Sequence, residues 1–329
     1  MPRKFRRRPS VRTLLLAIVP LLHSALPAQE GPRAGPGAAA LATRFAAMTA
    51  PSGLEQRMVD SLLALLPGAV RDRAGNAVLR IGSGTPRRLV ACPLDEPGWV
   101  VGGIREDGWL TLRRLAGRAP AMFDQQLEAQ QVTVWTRRAG RPGVVAVRSV
   151  HLTRGRSPDD APFTFDHAFV DVGARTAAEA RALGIRETDA VALTKRPHRY
   201  GDSLLAAPWA GRRAACGALV TAALGARPRD GAGETVVAFV VEQNLGRRGL
   251  LTAMNAAGPF AETVVLDAGV VPFASVGVER DTTRQAAGFG AVFRWRIPVR
   301  YEGSPVETVR LPDVDALAGR LAAWIGGPR

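Results

Sequence analysis

The sequence predicts an α/β domain with a small all-β module inserted into it, and three observations carry that reading. Apolar runs of strand length, at 88–94, 235–241 and 264–267, alternate with segments of helical period, as in a sheet covered by helices on both faces. Between about 97 and 169 the pattern changes to short alternating runs separated by turns, which suits a small closed barrel. The chain has 329 residues, 47% of them hydrophobic and 22% charged, enough to bury a large core and unlike the composition of a disordered chain.

The N-terminus reads as an export signal. Residues 3–12 are basic, 14–22 form a short apolar core, and 23–28 are small or turn-forming. That is the layout of a secretory signal peptide, with cleavage expected after Ala28. No apolar run reaches the roughly 18 residues of a membrane span, so no transmembrane segment is expected. Residues 29–40 read as a flexible leader rich in Gly, Pro and Ala. The formal charge of +15 points to no nucleic-acid partner: only Lys4 and Lys195 are lysines, and the arginines are scattered rather than gathered on one face.

Each element follows from its local pattern. Ser52 and Glu55 are spaced as a capping box before apolar positions 54, 58, 59, 62, 63 and 66, which predicts a helix with one buried face. Strands are expected over 76–81 and 88–94, then over 98–104, 109–114, 131–136 and 143–150 in the β-module. After the module come a strand at 168–172, a helix capped by Thr176 and Glu179, and a helix at 212–224. A strand at 235–241, a helix at 248–256, strands at 264–267 and 291–300 and a closing helix at 313–325 complete the main domain. Cys92 and Cys216 read as buried small hydrophobes, with a disulfide open to them in an exported protein.

Metal and nucleophile signatures are sparse. The only histidines beyond the signal are His151, His167 and His198, and none lies close to a glutamate, so the zincin pattern is absent. Gly201-Asp202-Ser203-Leu204 spells a lipase-type nucleophile motif, but that chemistry needs a histidine base far downstream. The last histidine is His198, so the segment reads as a loop.

Six segments resemble one family. They are Ser52-Gly53-x-Glu55, Asp72-x-x-Gly75-Asn76, Asp95-Glu96-x-Gly98, Asp171-Val172-Gly173-Ala174, Gly246-x-x-Gly249, and Arg300-Tyr301-x-x-Ser304-Pro305-Val306-Glu307. In this order and spacing they resemble the co-catalytic metalloaminopeptidases that include tetrahedral, glutamyl and deblocking aminopeptidases. The resemblance implies a zinc-aminopeptidase-like α/β domain, with a central mixed sheet covered by helices, over 41–96 and 170–329. It also implies an inserted β-barrel over 97–169.

The family binds two zinc or cobalt ions through two histidines, two aspartates and a glutamate, with an adjacent glutamate as general base. Carried over residue by residue, the first histidine falls on Pro93 and the bridging aspartate on Ala210, two before Arg212. The paired glutamates fall on Gln243 and Asn244, and the last histidine on Gly303. Asp267 matches the other aspartate ligand, and Asp95 the residue that orients the first histidine. Glu242, Glu302 and Glu96 each lie one residue from a matched position, but a one-residue shift on a strand turns a side chain to the opposite face.

The resulting expectation is an exported pseudopeptidase with no catalytic residue and no cofactor. Its cleft of Pro93, Ala210, Arg212, Gln243, Asn244 and Gly303, with Asp95 and Asp267 as remnants, would serve peptide binding or scaffolding, and Arg212 would contact a peptide carboxylate. The partners expected are peptides or protein termini; the sequence assigns no oligomeric state. The alternative is an active metal-dependent aminopeptidase holding two zinc or cobalt ions and hydrolysing N-terminal residues. On either reading these positions should converge at the C-terminal edge of the central sheet, where ligands bind in open α/β folds.

Overall fold

The structure is a computed structural model that describes residues 37–115, 123–147, 163–280 and 290–327, all within the unit Gly35–Arg329. The export signal, residues 29–36 of the leader, residues 148–150 of the strand expected at 143–150, and His151 lie outside the described residues. From the N-terminus come α1 (Ala38–Ala46), α2 (Gln56–Leu65), β1 (Val70–Arg71), β2 (Ala77–Gly82) and β3 (Arg87–Pro93). A β-module follows, with β4 (Gly98–Ile104), β5 (Leu110–Leu115), β6 (Gln131–Trp135), β7 (Gly140–Val145), β8 (Phe169–Asp171), α3 (Ala177–Ala182) and β9 (Ala190–Leu193). The chain then forms β10 (His198–Tyr200), β11 (Leu204–Ala206), α4 (Ala210–Gly225), β12 (Glu234–Val240), α5 (Arg248–Ala257) and β13 (Glu262–Gly269). It ends with β14 (Gly277–Arg280), β15 (Ala291–Pro298), β16 (Thr308–Arg310) and α6 (Leu311–Ile325).

The central sheet has the order β1-β2-β12-β3-β13-β15-β14. β12, β3, β13 and β15 run parallel, and antiparallel partners flank them on both sides. Alternate residues of a strand face opposite sides, and β3 is apolar on both. Val90 and Cys92 enter the core shared with α1, α4 and α6, whereas Leu89 and Ala91 enter the one shared with α5. The continuous apolar run in the sequence is the consequence of this double covering. On the first side α1 crosses α4 at Gly217, where a Cβ would come within 2.9 Å of the Ala42 nitrogen.

The barrel closes in the order β4-β5-β8-β7-β6-β9 and therefore runs past the boundary at 169 expected from the sequence. A four-strand meander leaves open edges that must be paired or covered. β8 fills the gap between β5 and β7, and β9 the gap between β4 and β6. Ala180 of α3 and Ile185 belong to the barrel core, so the strand and capped helix assigned to the main domain serve the barrel. The Thr176 cap is present, its Oγ1 accepting from the Glu179 N–H at 3.1 Å.

Three further readings are corrected. Residues 38–40, assigned to the leader, form the first turn of α1, and Ala38 is buried. The capping box at Ser52 does not form: Ser52 Oγ donates to Asp95 Oδ2 at 2.6 Å, and α2 begins after Glu55. Cys92 and Cys216 are both buried, as read, but they are also joined in a disulfide with Cα atoms 5.6 Å apart. The alternation of β3 aims Cys92 at α4, where Cys216 lies on the inward face.

The Gly246-x-x-Gly249 motif has a steric cause. A Cβ on Gly249 would lie 2.4 Å from both Asn76 Oδ1 and the Val241 carbonyl, atoms held by the bonds from the Asn76 side chain to the Gly249 carbonyl and from the Val241 N–H to Asn76 Oδ1. Gly249→Ala should therefore lower the unfolding free energy by about 1–3 kcal/mol, as overpacking does. Urea denaturation checks this, and an unchanged midpoint would contradict the packing described.

Candidate active site

The cleft lies at the C-terminal ends of the parallel strands. Pro93 ends β3, directly beside Val240 at the end of β12, and Asp95 follows. Gln243 and Asn244 follow β12, Asp267 lies near the end of β13, Ala210 opens α4, and Gly303 lies in the loop after β15. The local backbone is unusual there: Trp209, Glu242, Arg247, Ala274 and Tyr301 all adopt positive φ in loops at this edge. Non-glycine residues rarely do so, and such strain gathers where loops carry function.

Hydrogen bonds join these loops. Asp95 is fully buried, and its Oδ2 accepts from Ser52 Oγ at 2.6 Å and from the Asn244 N–H at 2.8 Å. The Asn244 amide donates in turn to Ser52 Oγ at 3.1 Å. Arg212 donates through Nη1 to the Asp95 carbonyl at 2.7 Å and sets Nη2 3.6 Å from Asp267 Oδ1. Glu307 accepts from the Gly211 N–H at 2.8 Å and from the Gly303 N–H at 2.7 Å, which brings the start of α4 to the loop after β15. A Cβ on Gly211 would lie 2.6 Å from that of Ala268, so Asp267 borders the same place. Burial pushes the Glu307 carboxyl up, against the two N–H groups that it accepts.

Several polar atoms here lack a partner. Asp95 Oδ1, Gln243 Oε1 and Arg212 Nε are buried with no hydrogen bond. The donor set is equally sparse, because Pro93, Ala210 and Gly303 carry no ligating side-chain atom. Gln243 and Asn244 offer only neutral amides, and Arg212 sets its charge against Asp267. Among the described residues, no group of three or more His, Cys, Asp or Glu side chains could hold a metal ion. His167 and His198 are exposed, the first on the barrel and the second on the β10–β11 hairpin. The neighbouring glutamates are engaged elsewhere or exposed: Glu242 pairs with Arg248 at 2.9 Å, Glu302 faces solvent, and Glu96 is buried in a separate cluster. Gly201-Asp202-Ser203-Leu204 runs through the tight turn between β10 and β11, as its loop reading required.

That separate cluster was not read from the sequence. Glu96 accepts from Lys195 Nζ, from Arg213 Nη2 at 2.7 Å and from the Ala50 N–H at 3.2 Å. Lys195 follows β9 of the barrel and Arg213 belongs to α4, so one carboxylate joins both domains. Burial would raise the Glu96 carboxyl, yet Lys195 and Arg213 beside it hold it below its ordinary range. Burial pushes the Lys195 ammonium down to about 8, against the pull of Glu96. A signal did exist: in a chain that otherwise uses arginine, Lys195 is the only lysine outside the signal segment.

An α/β domain of this topology, with a barrel inserted after a central parallel strand and a cleft at the strand ends, defines a peptidase-type class. Residues 75–296 match the M42 glutamyl aminopeptidase family, and the chain belongs to that family. The chain is 26% identical over 273 residues to a lysyl aminopeptidase of Pyrococcus furiosus, covering 78% of this chain and 77% of the relative. Its fold matches a TET aminopeptidase from a marine-sediment Thaumarchaeota archaeon at a TM-score of 0.74 and 19% identity, over 88% of this chain and 96% of that one. It matches the TET1 peptidase of Pyrococcus horikoshii, which assembles into a tetrahedron or a large octahedral shell, at 0.73 and 19%, over 86% and 97%.

Glu55 gives the cleft a measurable pH dependence. It is 2% exposed, and its Oε1 accepts from the Gly53 N–H at 3.0 Å and from the Glu242 N–H at 2.8 Å. Burial pushes its carboxyl up to about 7, opposed by those two N–H groups and aided by the charge of Asp95. Between the ordinary 4.5 and about 7 the folded protein keeps a proton that the unfolded chain has released. Stability contributed by this group is thus full below 4.5 and lost as pH rises through 7, by up to about 3 kcal/mol. Glu55→Gln should remove that part of the decline between pH 5 and 7.5 in urea-unfolding midpoints. Parallel pH curves for wild type and variant would contradict the assignment.

Proposed function

We propose that this protein is an exported member of the family that binds peptide termini in its cleft without metal-dependent hydrolysis. The observation that carries the reading is the orphaned Oδ1 of Asp95. In the family the matching aspartate orients an imidazole ligand; here that position is Pro93, which has no N–H and no imidazole, and the buried oxygen has no donor. Gln243 Oε1, at the position of a family glutamate, is orphaned as well. The residues present do not fit two divalent ions: beyond Asp267, itself set against Arg212, the matched ligand positions offer only neutral amides or no side-chain donor. Zinc affinity depends on several nitrogen, sulfur or carboxylate donors acting together.

What remains is a cleft with a guanidinium, two carboxylates and neutral amides. Arg212 keeps 15% of its side chain exposed, and a guanidinium suits a peptide carboxylate best. The disulfide supports an export compartment, since such bonds persist under oxidising conditions. Among the described residues no helix is long and apolar enough to cross a membrane.

A second reading is a working metal-dependent aminopeptidase, favoured by the likeness to lysyl aminopeptidase over most of both chains. Turnover separates the two. The mature protein, assayed on a panel of aminoacyl chromogenic substrates with and without added Zn²⁺ or Co²⁺, should release no chromophore above the buffer rate under any condition. Metal-stimulated release that an exported, inactive mock preparation lacks would establish the second reading instead.

A further inference from the structure

We propose that the Cys92–Cys216 disulfide supplies the tie between β3 and α4 that the metal pair supplies where the family's ligands are present. The proposal rests on the metal-free reading above. The first family ligand position, Pro93, directly follows Cys92. The bridging position, Ala210, opens α4 six residues before Cys216, about 9 Å along the helix axis. The covalent bond therefore crosses between the same two elements that those ligands would join, just beneath the cleft.

The place of the bond in the topology gives the tie its importance. The barrel leaves the main domain after β3, and the chain returns to that domain through β11, which pairs with β16 and places Leu205 in the main core, just before α4. The disulfide closes this excursion, its cysteines 124 positions apart in sequence, and so seals the root of the insertion. Cross-links that close long loops constrain the unfolded chain most. Arg212 adds an ionic tie from α4 to the Asp95 carbonyl and to Asp267 on β13. Without a metal, those two carboxylate-bearing segments have this guanidinium as their shared cationic partner. Both cysteines are 0% exposed, so the bond is out of reach of solvent reductants in the folded protein. That marks it as a structural tie rather than a switch. Forming it takes two thiols to one disulfide, with two protons released and two electrons passed to a disulfide-bearing oxidant of the export compartment.

The test uses the mature full chain and three comparisons of melting temperature. Thiol titration in denaturant should find no free thiol until a phosphine reductant is added. EDTA, or added Zn²⁺, should move the melting temperature by less than about 1 °C, because a metal that does not bind the folded state cannot stabilise it. The double variant Cys92→Ala, Cys216→Ala should melt about 5–15 °C lower. If that variant does not fold, the urea midpoint of the wild-type chain with and without the reductant supplies the same comparison. A lower midpoint under reductant supports the tie, and an unchanged one overturns it. Free thiols in the native protein, or a double variant that melts with the wild type, would also overturn it. Metal-stimulated turnover with the loss on cysteine removal intact would refute the metal-free reading alone.

Discussion

The carboxylate of Glu96 is the constraint around which the molecule is arranged. It is 2% exposed and accepts from the barrel through Lys195, from α4 through Arg213 and from the N-terminal segment through the Ala50 N–H. A buried charge left without its partner costs several kcal/mol, so removing Glu96 would strand both Lys195 and Arg213 in a low-dielectric interior. Two lateral contacts make the same seam rigid. The stacked rings of Trp99 and Phe123, 4.5 Å apart, approach Trp209 at the start of α4, and Gln126 of the barrel donates to the Gly303 carbonyl. The adjacent Asp95 turns the other way, into the cleft. Two neighbouring acids thus divide the work, one joining the domains and one facing the loops of the cleft.

The chemistry of the cleft follows from what surrounds Asp95. Carboxylates gathered without a cation repel and raise one another's pKa values. Neutral residues at Ala210, Gln243 and Asn244, the positions that match acids, keep that repulsion low. The residual negative charge is met by Arg212, which reaches Asp267 from α4. The loops nevertheless keep the positive φ angles at Trp209, Glu242 and Tyr301 that hold their backbones at the rim. The rim backbone is thus held in place around a cleft lined largely by neutral side chains.

Much of this was legible in the sequence because it rests on local signals. The double-sided apolar run of β3, the Thr176 cap and the ordered motifs each declare their role within a few residues. The barrel boundary was not legible: β8 was expected as a strand but not as a barrel partner, and β9, four residues long, is a strand only through partners far away in the chain. Ser52 and Glu55 misled for a related reason. Their spacing fits a cap, but Asp95 and the Glu242 N–H compete for them across the fold. The ionic joint of Lys195, Glu96 and Arg213 required knowing that β9 ends beside α4. The cysteines lay between these cases: their burial follows from the pattern of each element, and their pairing from how β3 and α4 stack.

Metal content tests the central claim most directly. The purified protein, dialysed without chelator, can be analysed for zinc and cobalt by elemental analysis against protein concentration. A cleft with one remaining ligand carboxylate, already set against a guanidinium, predicts well under one ion per chain. Two ions per chain, retained through dialysis, would contradict the account and return the protein to the metal-dependent aminopeptidases.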